Sequence, residues 1–268
     1  MIILKILAWL FIAVLIFVSA TFLLAIYDAL NFKKEKLDNI FTIVREILKE
    51  TVFTFVSIIT YIPGFINYDN LFLKKKNKQY LPVLLVHGYT MNRACFLFIH
   101  LRLAIDGFRV FTVNLYPPFL SIEELSERVA DKVDEITDKT GEKEVYLIGH
   151  SMGGLVARYY VNSPRGTGRV KQIITIATPH RGTRIAVLGN GKNAREMIPE
   201  SEFLRQLNNT HQLPTLAIWS TLDNLIIPPE YATLDGMQNI ALPFQGHLSL
   251  LYSNLVYKHI YNYLTKNM

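Results

Sequence analysis

The sequence has little cysteine and little charge, and both shortages restrict what the protein can be. Its single cysteine, Cys95, cannot form an intramolecular disulfide framework and leaves no cysteine cluster for a metal. Charged residues make up only 19% of the 268 residues, whereas hydrophobic residues make up 50%. This composition excludes a disordered chain, and we expect it to reflect both a membrane segment and an apolar α/β core.

The positive charge is moderate and unevenly distributed. The net charge is +6, and residues 1–80 hold 10 Lys and Arg against 6 Asp and Glu, while the remainder holds 18 against 16. A nearly neutral C-terminal region lacks the basic surface that nucleic-acid binding requires. We therefore expect no nucleic-acid partner.

The N-terminal region contains one long apolar run. Residues 6–27 carry no charge, and as a helix these 22 residues would extend about 33 Å, enough to cross a bilayer. Trp9 and Tyr27 lie near its ends, as interfacial residues do, and lysines follow within 33–36. The pattern predicts a retained membrane anchor over residues 1–30. The alternative is a signal peptide cleaved near Val18-Ser19-Ala20.

Residues 31–80 are expected to form a membrane-associated helical segment with a basic linker. Apolar residues recur at helical spacing from Leu37 to Leu48, which predicts an amphipathic helix that lies in the membrane interface or packs on the rest of the protein. The uncharged stretch 51–68, broken by Pro63-Gly64, is a short second span, a hairpin insertion or an interfacial segment. Lysines within 73–80 favour a cytoplasmic C-terminal domain, although a signal-anchor insertion would place that domain outside.

From Leu81 onward, short apolar runs alternate with helical segments. This alternation predicts an α/β domain over residues 81–268, with a mostly parallel central sheet flanked by helices. The predicted strands are 82–86, 109–113, 145–148, 170–177, 215–219 and 238–242, and the predicted helices are 95–106, 122–140, 155–162 and 249–264. Residues 182–213 have little strand signal and form a small lid, one wall of a pocket or an ordinary connection.

The most informative motif lies where the third predicted strand meets a helix. Gly149-His150-Ser151-Met152-Gly153 fits the G-x-S-x-G pattern, in which a tight turn presents the serine at the edge of the sheet. The glycines relieve steric clash in that turn, and the following helix directs its amino terminus at the serine. The sequence therefore predicts Ser151 as a nucleophile.

Two further positions complete the predicted chemistry, since a serine hydroxyl needs a base and a group that orients the base. Asp223 follows a predicted strand and is the expected acid, whereas its rival Asp235 precedes a strand and lies in an Asp-Gly turn. His247, in the loop before the last helix, is the expected base. The histidines at positions 87, 100, 180, 211 and 259 are assigned no catalytic role.

The oxyanion donors are expected from two backbone amides. The first is that of Met152, directly after the predicted nucleophile, and the second is that of Tyr89, after the strand that ends in His87-Gly88. We expect the side chain of His87 to brace the loop.

Taken together, these residues resemble the α/β-hydrolase family, in particular its bacterial lipase and esterase branch. The resemblance rests on His87-Gly88, the GHSMGG elbow at 149–154, Thr178-Pro179-His180-Arg181-Gly182-Thr183, and the late Asp223 and His247. It implies ester hydrolysis through an acyl-enzyme, with no metal and no organic cofactor. Tyr89 is bulkier than the residue often found after His-Gly in lipases, and its size would narrow the acyl site.

The expected function is a membrane-anchored serine hydrolase that cleaves lipid or other carboxylic esters, located at the bacterial cytoplasmic membrane. An acyltransferase or a thioesterase would use the same residues. A non-catalytic binding protein is the remaining alternative, but such proteins usually lack one member of the triad. Acyl length and oligomeric state do not follow from the sequence.

Overall fold

A six-stranded parallel sheet forms the centre of the computed structural model, which describes residues 1–33, 40–69, 80–210 and 213–266. The strand order is β2-β1-β3-β4-β5-β6, and every neighbouring pair is parallel. The strands are β1 (Val83–Val86), β2 (Val110–Val113), β3 (Val145–His150), β4 (Val170–Ile176), β5 (Thr215–Ser220) and β6 (Gln238–Leu242). The predicted fold class is therefore confirmed.

Helices cover both faces of the sheet and precede it in the chain. They are α1 (Ile2–Asp28), α2 (Ile40–Ile59), α3 (Leu97–Ile105), α4 (Ile122–Thr140), α5 (Met152–Asn162), α6 (Lys192–Glu196), α7 (Glu202–Asn208) and α8 (Asn254–Lys266). Sequence patterning predicts α3, α4, α5 and α8 to within a few residues. It does not predict the two short helices α6 and α7 in the 182–213 segment, because neither is long enough to show a helical period.

The strands β1 to β5 are apolar almost throughout because both faces of the sheet are buried there, whereas the edge strand β6 is largely exposed. Side chains alternate along a strand, so Leu84 and Leu147 pack with α4 and α5, while Leu85 and Ile148 pack with α3 and α8. All four are at most 1% exposed. Burial on both sides leaves the carboxyl ends of the strands as the place where polar chemistry can be concentrated.

The strand order reverses at β1, which lies between β2 and β3. In open parallel sheets, the crevice beyond the carboxyl ends at such a reversal is where ligands bind. The predicted site residues Tyr89 and Ser151 follow β1 and β3 respectively, so the topology brings them to that crevice.

An N-terminal hairpin of α1 and α2 packs beside this edge of the sheet. Val14, Val18 and Phe22 of α1 are buried against α2 and the rest of the protein. The outward face of α1 is exposed: Trp9 and Ile16 are 70% and 65% accessible. Within the described residues, Ile2–Asn31 is the one helical stretch long and apolar enough to cross a membrane, with a mean hydropathy of 2.8.

The uncharged stretch at 51–68 does not form a separate helix. Its first nine residues continue the amphipathic helix without a break, so that α2 runs from Ile40 to Ile59, and the chain then turns through Pro63–Phe65. The first helix-breaking pair after Glu50 is Pro63-Gly64, which explains why α2 extends beyond Glu50 into the uncharged stretch. Most of the basic flank at 33–36, and all but Tyr80 of the linker at 73–80, lie outside the described residues.

A buried ion pair fastens the segment after α2 to the edge of the sheet. The Oδ1 atom of Asp69 accepts hydrogen bonds from the amide and hydroxyl of Thr112 in β2, at 3.0 and 2.7 Å. Its Oδ2 atom lies 2.8 Å from Nζ of Lys132 in α4. Asp69 and Lys132 are only 3% and 8% exposed. Loss of Asp69 would leave the Thr112 amide and hydroxyl without this acceptor, and Lys132 would keep only its 3.1 Å contact with Glu135.

Replacing Asp69 with Ala should therefore lower the free energy of unfolding by about 3 kcal/mol, the lower end for a broken buried pair, because Glu135 still contacts Lys132. The control is Glu127→Ala, which removes an exposed partner of Arg165 and should cost no more than about 1 kcal/mol. Urea unfolding followed by circular dichroism in detergent measures both values. Equal stability of the two variants would contradict the assigned role of the buried pair.

Candidate active site

Ser151 occupies a sharp turn between β3 and α5. Its backbone has φ 54° and ψ −130°, a conformation that side-chain-bearing residues seldom adopt, and its amide donates to the carbonyl of Ile176 at 2.9 Å. A Cβ atom at Gly153 would lie 2.1 Å from the carbonyl oxygen of Val86, and one at Gly149 would lie 2.5 Å from the Gly154 backbone. The two glycines are therefore required by close backbone packing, as the motif predicts.

Asp223 and His247 come together beyond β5 and β6. The Nδ1 atom of His247 lies 3.0 Å from each carboxylate oxygen of Asp223, and the two side chains are almost completely buried. The Oδ1 atom of Asp223 also accepts from the amides of Leu225 and Ile226, at 2.8 and 2.9 Å. These contacts fix the carboxylate, which in turn fixes the orientation of the His247 ring.

The electrostatic environment favours protonation of His247 over that of its neighbour His150. Burial by itself would lower the pKa of His247, but the carboxylates of Asp223 and Glu50 outweigh it, so that its pKa is raised above the usual value. Burial, together with the nearby His247, holds the pKa of His150 well below the usual value. The ring centroids are 4.7 Å apart, so the pKa values of two adjacent histidines are shifted in opposite directions.

A cavity of about 600 Å³ extends from Ser151 and His247. Its surface is mainly apolar and comes from three parts of the chain: the loops at the carboxyl edge of the sheet, the segment after β4, and the N-terminal hairpin. The side chains from the hairpin include Val14, Phe17 and Val18 of α1 and Thr54, Ile58 and Tyr61 around α2. A mainly apolar cavity of this size suits an apolar ligand.

The two predicted oxyanion donors lie on either side of Ser151. Met152 begins α5 directly after the serine. Tyr89 follows Gly88, which approaches Ser151 so closely that a Cβ atom on it would lie 2.8 Å from Cβ of the serine. Tyr89 lines the cavity, and its hydroxyl forms 2.7 Å hydrogen bonds with both the amide and the carbonyl of Asn190.

His87 has the bracing contacts that the sequence predicts. Its Nε2 atom accepts from the amide of Leu115 at 2.8 Å, and its Nδ1 lies 2.9 Å from the carbonyl of Gly88. Burial lowers the pKa of His87 to about 4, so the ring stays neutral. It links the end of β1 to the segment after β2 and does not line the cavity.

The other described residues that were considered from the sequence do not line the cavity. His180 is buried between Thr175 and Arg158, with 3.0 and 3.1 Å contacts to them. Asp235 is exposed in the turn before β6, at the opposite edge of the sheet from Asp223, and His259 lies within α8. His211 is outside the described residues.

Two hairpin residues that sequence reasoning missed contact the loops bearing Asp223 and His247. Thr21 of α1 accepts a 2.7 Å hydrogen bond from the side chain of Asn224, whose Oδ1 atom accepts the His247 amide at 3.0 Å. Glu50 of α2 is fully buried and accepts from the amides of Leu248 and Ser249. The only sequence signal was that Glu50 is the last charge before the uncharged stretch at 51–68.

Comparisons with known proteins agree with this geometry. A family model described as "PGAP1-like alpha/beta domain" matches residues 119–255, half of the chain, and this range contains Ser151, Asp223 and His247.

Among curated proteins, the chain is 38% identical over 85 residues to triacylglycerol lipase 2 of Saccharomyces cerevisiae, covering 30% of this chain and 26% of that protein. It is 35% identical over 115 residues to a triacylglycerol lipase of Pseudarthrobacter phenanthrenivorans, covering 39% and 35%. The chain thus spans about a third of the length of these relatives, or less.

Solved structures establish the fold. The mature form of Bacillus licheniformis lipase BlEst2 superposes with a TM-score of 0.65 at 16% identity, covering 72% of this chain and 95% of that one. Aspergillus fumigatus lipase B gives 0.63 at 21% identity, covering 70% and 53%. The shared architecture is that of the α/β hydrolases.

Replacing Gly153 with Ala should destabilise the protein, because the new methyl group would overlap the Val86 carbonyl. We expect a loss of about 3 kcal/mol or more, at the upper end for an added methyl in a packed site. Gly168→Ala is the control, since a Cβ atom there meets nothing within 4 Å and only its positive φ opposes the change, at about 1 kcal/mol. Thermal unfolding of both variants measures the difference; an equal melting temperature would refute the packing argument.

Proposed function

Because the chain belongs to the family of PGAP1-like alpha/beta domains, we propose that it is a membrane-anchored serine hydrolase that cleaves carboxylic esters of lipids. The proposal is carried by one observation: the buried Asp223–His247 pair lies at the same cavity as Ser151. The triacylglycerol lipases that share sequence with the chain support ester chemistry.

In the proposed mechanism, Ser151 is the nucleophile and His247 the general base. The Oγ atom of Ser151 attacks the ester carbonyl carbon while Nε2 of His247 takes the hydroxyl proton, and Asp223 stabilises the resulting imidazolium. The amides of Met152 and Tyr89 donate to the oxyanion. His247 then gives the proton to the leaving alcohol. In the second half-reaction His247 takes a proton from water, which attacks the acyl-enzyme, and returns it to the Ser151 oxygen as the acid is released.

A long acyl chain is the proposed occupant of the cavity. Its apolar walls come from α1, α2 and the segment after β4, which contributes Ile185, Leu188 and Met197. Burying each methylene of an acyl chain contributes roughly 0.8 kcal/mol, so chain length should strongly affect binding. The 182–213 segment is thereby proposed to be a wall of the acyl pocket.

Ester hydrolysis can be tested on the full chain in detergent with p-nitrophenyl esters of increasing acyl length. We expect turnover to rise with chain length and Ser151→Ala to reduce it by about 10⁴-fold or more. Ser163→Ala, which alters a serine just beyond α5, is the matched control and should retain activity. Retained turnover in the Ser151 variant would refute the mechanism, and ester formation with an added alcohol would indicate an acyltransferase.

Retention of α1 as an anchor is proposed over its removal as a leader. The alternative cleavage site at Val18-Ser19-Ala20 lies within the part of α1 that packs on the protein, where Val18 is 1% exposed and lines the cavity. Cleavage there would remove one wall of the site. The outward apolar face of α1 supports contact with lipid, and we propose the bacterial cytoplasmic membrane as the location.

Membrane anchoring can be tested by flotation of the full chain with phospholipid vesicles. The double variant Ile12→Lys/Ile16→Lys changes two exposed positions of α1. Each lysine should cost roughly 3 kcal/mol of insertion free energy, so flotation should fall strongly. Ile105→Lys adds the same charge at an exposed position of α3 and should float normally. Equal flotation of both proteins, or isolation of a membrane form that lacks residues 1–20, would contradict the anchor.

A further inference from the structure

A buried carboxylate from the N-terminal hairpin reaches the loop that carries His247. Glu50 lies in α2 and is 1% exposed. Its Oε1 atom accepts the amide of Leu248 at 2.7 Å, and its Oε2 atom accepts the amide and the hydroxyl of Ser249 at 2.8 and 2.7 Å. The two residues that follow His247 are therefore held by one side chain that lies almost 200 positions earlier in the sequence.

The contacts of Glu50 suit a side chain with two acceptor oxygens. Each of its oxygens accepts a backbone amide, and the Ser249 hydroxyl adds a third contact, at Oε2. A glutamine at this position would direct its NH₂ group at one of these donors. Burial raises the pKa of Glu50, while its three donors and the charge on His247 oppose that rise.

The loop has a gap that fits this side chain. Gly246 precedes His247, and a Cβ atom on it would lie 2.4 Å from Oε2 of Glu50. Any other residue would displace the carboxylate or the loop. Glu50 thus contacts the chain on both sides of His247: it packs against Gly246 before it and accepts hydrogen bonds from Leu248 and Ser249 after it.

The charged and titratable groups around His247 are few. Asp223 binds its Nδ1 atom, Glu50 supports the following backbone, and neutral His150 lies beside its ring. Tyr252 is the other titratable group near Glu50, and its pKa is raised by burial with a smaller contribution from the Glu50 charge. Glu46, one turn earlier in α2, instead pairs with Arg45 and Lys49.

From this geometry we infer that Glu50 is a positioning residue for His247, supplied to the active site by the N-terminal hairpin. The inference rests on the proposed function, in which His247 is the general base. Glu50 does not touch the reacting atoms; it acts by holding the His247 loop and by placing a second negative charge beside the imidazole. The catalytic site is complete only when the hairpin is packed against the α/β domain.

The experiment compares Glu50→Gln with Glu46→Gln in the full detergent-solubilised chain. Both changes replace a buried carboxylate of α2 by an amide, but only the first faces the His247 loop. For a short p-nitrophenyl ester we expect Glu50→Gln to lower kcat by about 10- to 100-fold with KM nearly unchanged. Glu46→Gln should keep the wild-type kcat.

The pH profile separates positioning from general structural support. The base must be neutral, so kcat/KM rises with pH through the pKa of His247. Because the Glu50 charge raises that pKa, its removal should shift the ascending limb to lower pH. A normal kcat in Glu50→Gln, or a lowered kcat with an unmoved limb, would overturn the inference.

Two further measurements keep the test decisive. If Glu50→Gln does not fold, Glu50→Asp retains the charge but withdraws it by one methylene, and it should lower kcat while leaving the pH limb in place; a normal kcat would overturn the inference. The pKa of His247, read from its ring protons by NMR, should fall in Glu50→Gln whether or not esters are cleaved. If the wild-type chain shows no Ser151-dependent ester turnover, the proposed function is refuted. If the His247 pKa is the same in Glu50→Gln as in the wild type, only the role of Glu50 is refuted.

Discussion

The close packing of α5 against β1 is the constraint on which the rest of the site depends. With glycine at 153, the helix approaches the Val86 carbonyl too closely for any side chain, and Ser151, at the start of the same helix, has a strained backbone conformation. The serine is thus held at the end of the sheet before any ligand arrives. The Gly88 backbone also lies close to Ser151, so the end of β1 and the start of α5 both pack tightly beside the serine.

The second feature of the site is its dependence on the hairpin. The α/β domain supplies Ser151, Asp223 and His247. The helices α1 and α2 supply cavity walls, the Thr21 contact with Asn224 and the Glu50 contact with the His247 loop. Helix α1 has an exposed apolar face on one side and cavity-lining residues on the other, so it lies between its apolar outer surface and the apolar cavity. An acyl chain in this cavity would lie against the same helix that is proposed to contact lipid.

Sequence reasoning predicted the α/β part of the fold well because its signals are local. Buried parallel strands are short apolar runs, and the elbow at Ser151 needs its glycines in a fixed pattern, so both are visible without knowledge of the tertiary structure. Asp223 and His247 could be selected because each follows a strand of that sheet. The predicted placement of these residues at one edge agrees with the structure, and their catalytic roles remain predictions.

What the sequence did not indicate was long-range packing. Glu50 and Thr21 meet the His247 and Asn224 loops across about 200 residues of sequence, and no periodicity encodes such a contact. The boundary between an amphipathic helix and a second apolar segment was also misplaced, since composition changes near Thr51 but the helix continues to Ile59. A change in composition need not coincide with a change in backbone conformation.

The hydroxyl of Tyr89 has a consequence for how the enzyme would respond to the size of its substrate. It exchanges two hydrogen bonds with the backbone of Asn190, so the strand end beside Ser151 is tied to the outer wall of the cavity. A bulky ligand that displaced this wall would also pull on Tyr89, whose amide is the proposed oxyanion donor. Substrate selectivity would then act on kcat more than on binding. An ill-fitting molecule would bind but react slowly, because accommodating it would misalign the Tyr89 amide that is proposed to stabilise the transition state.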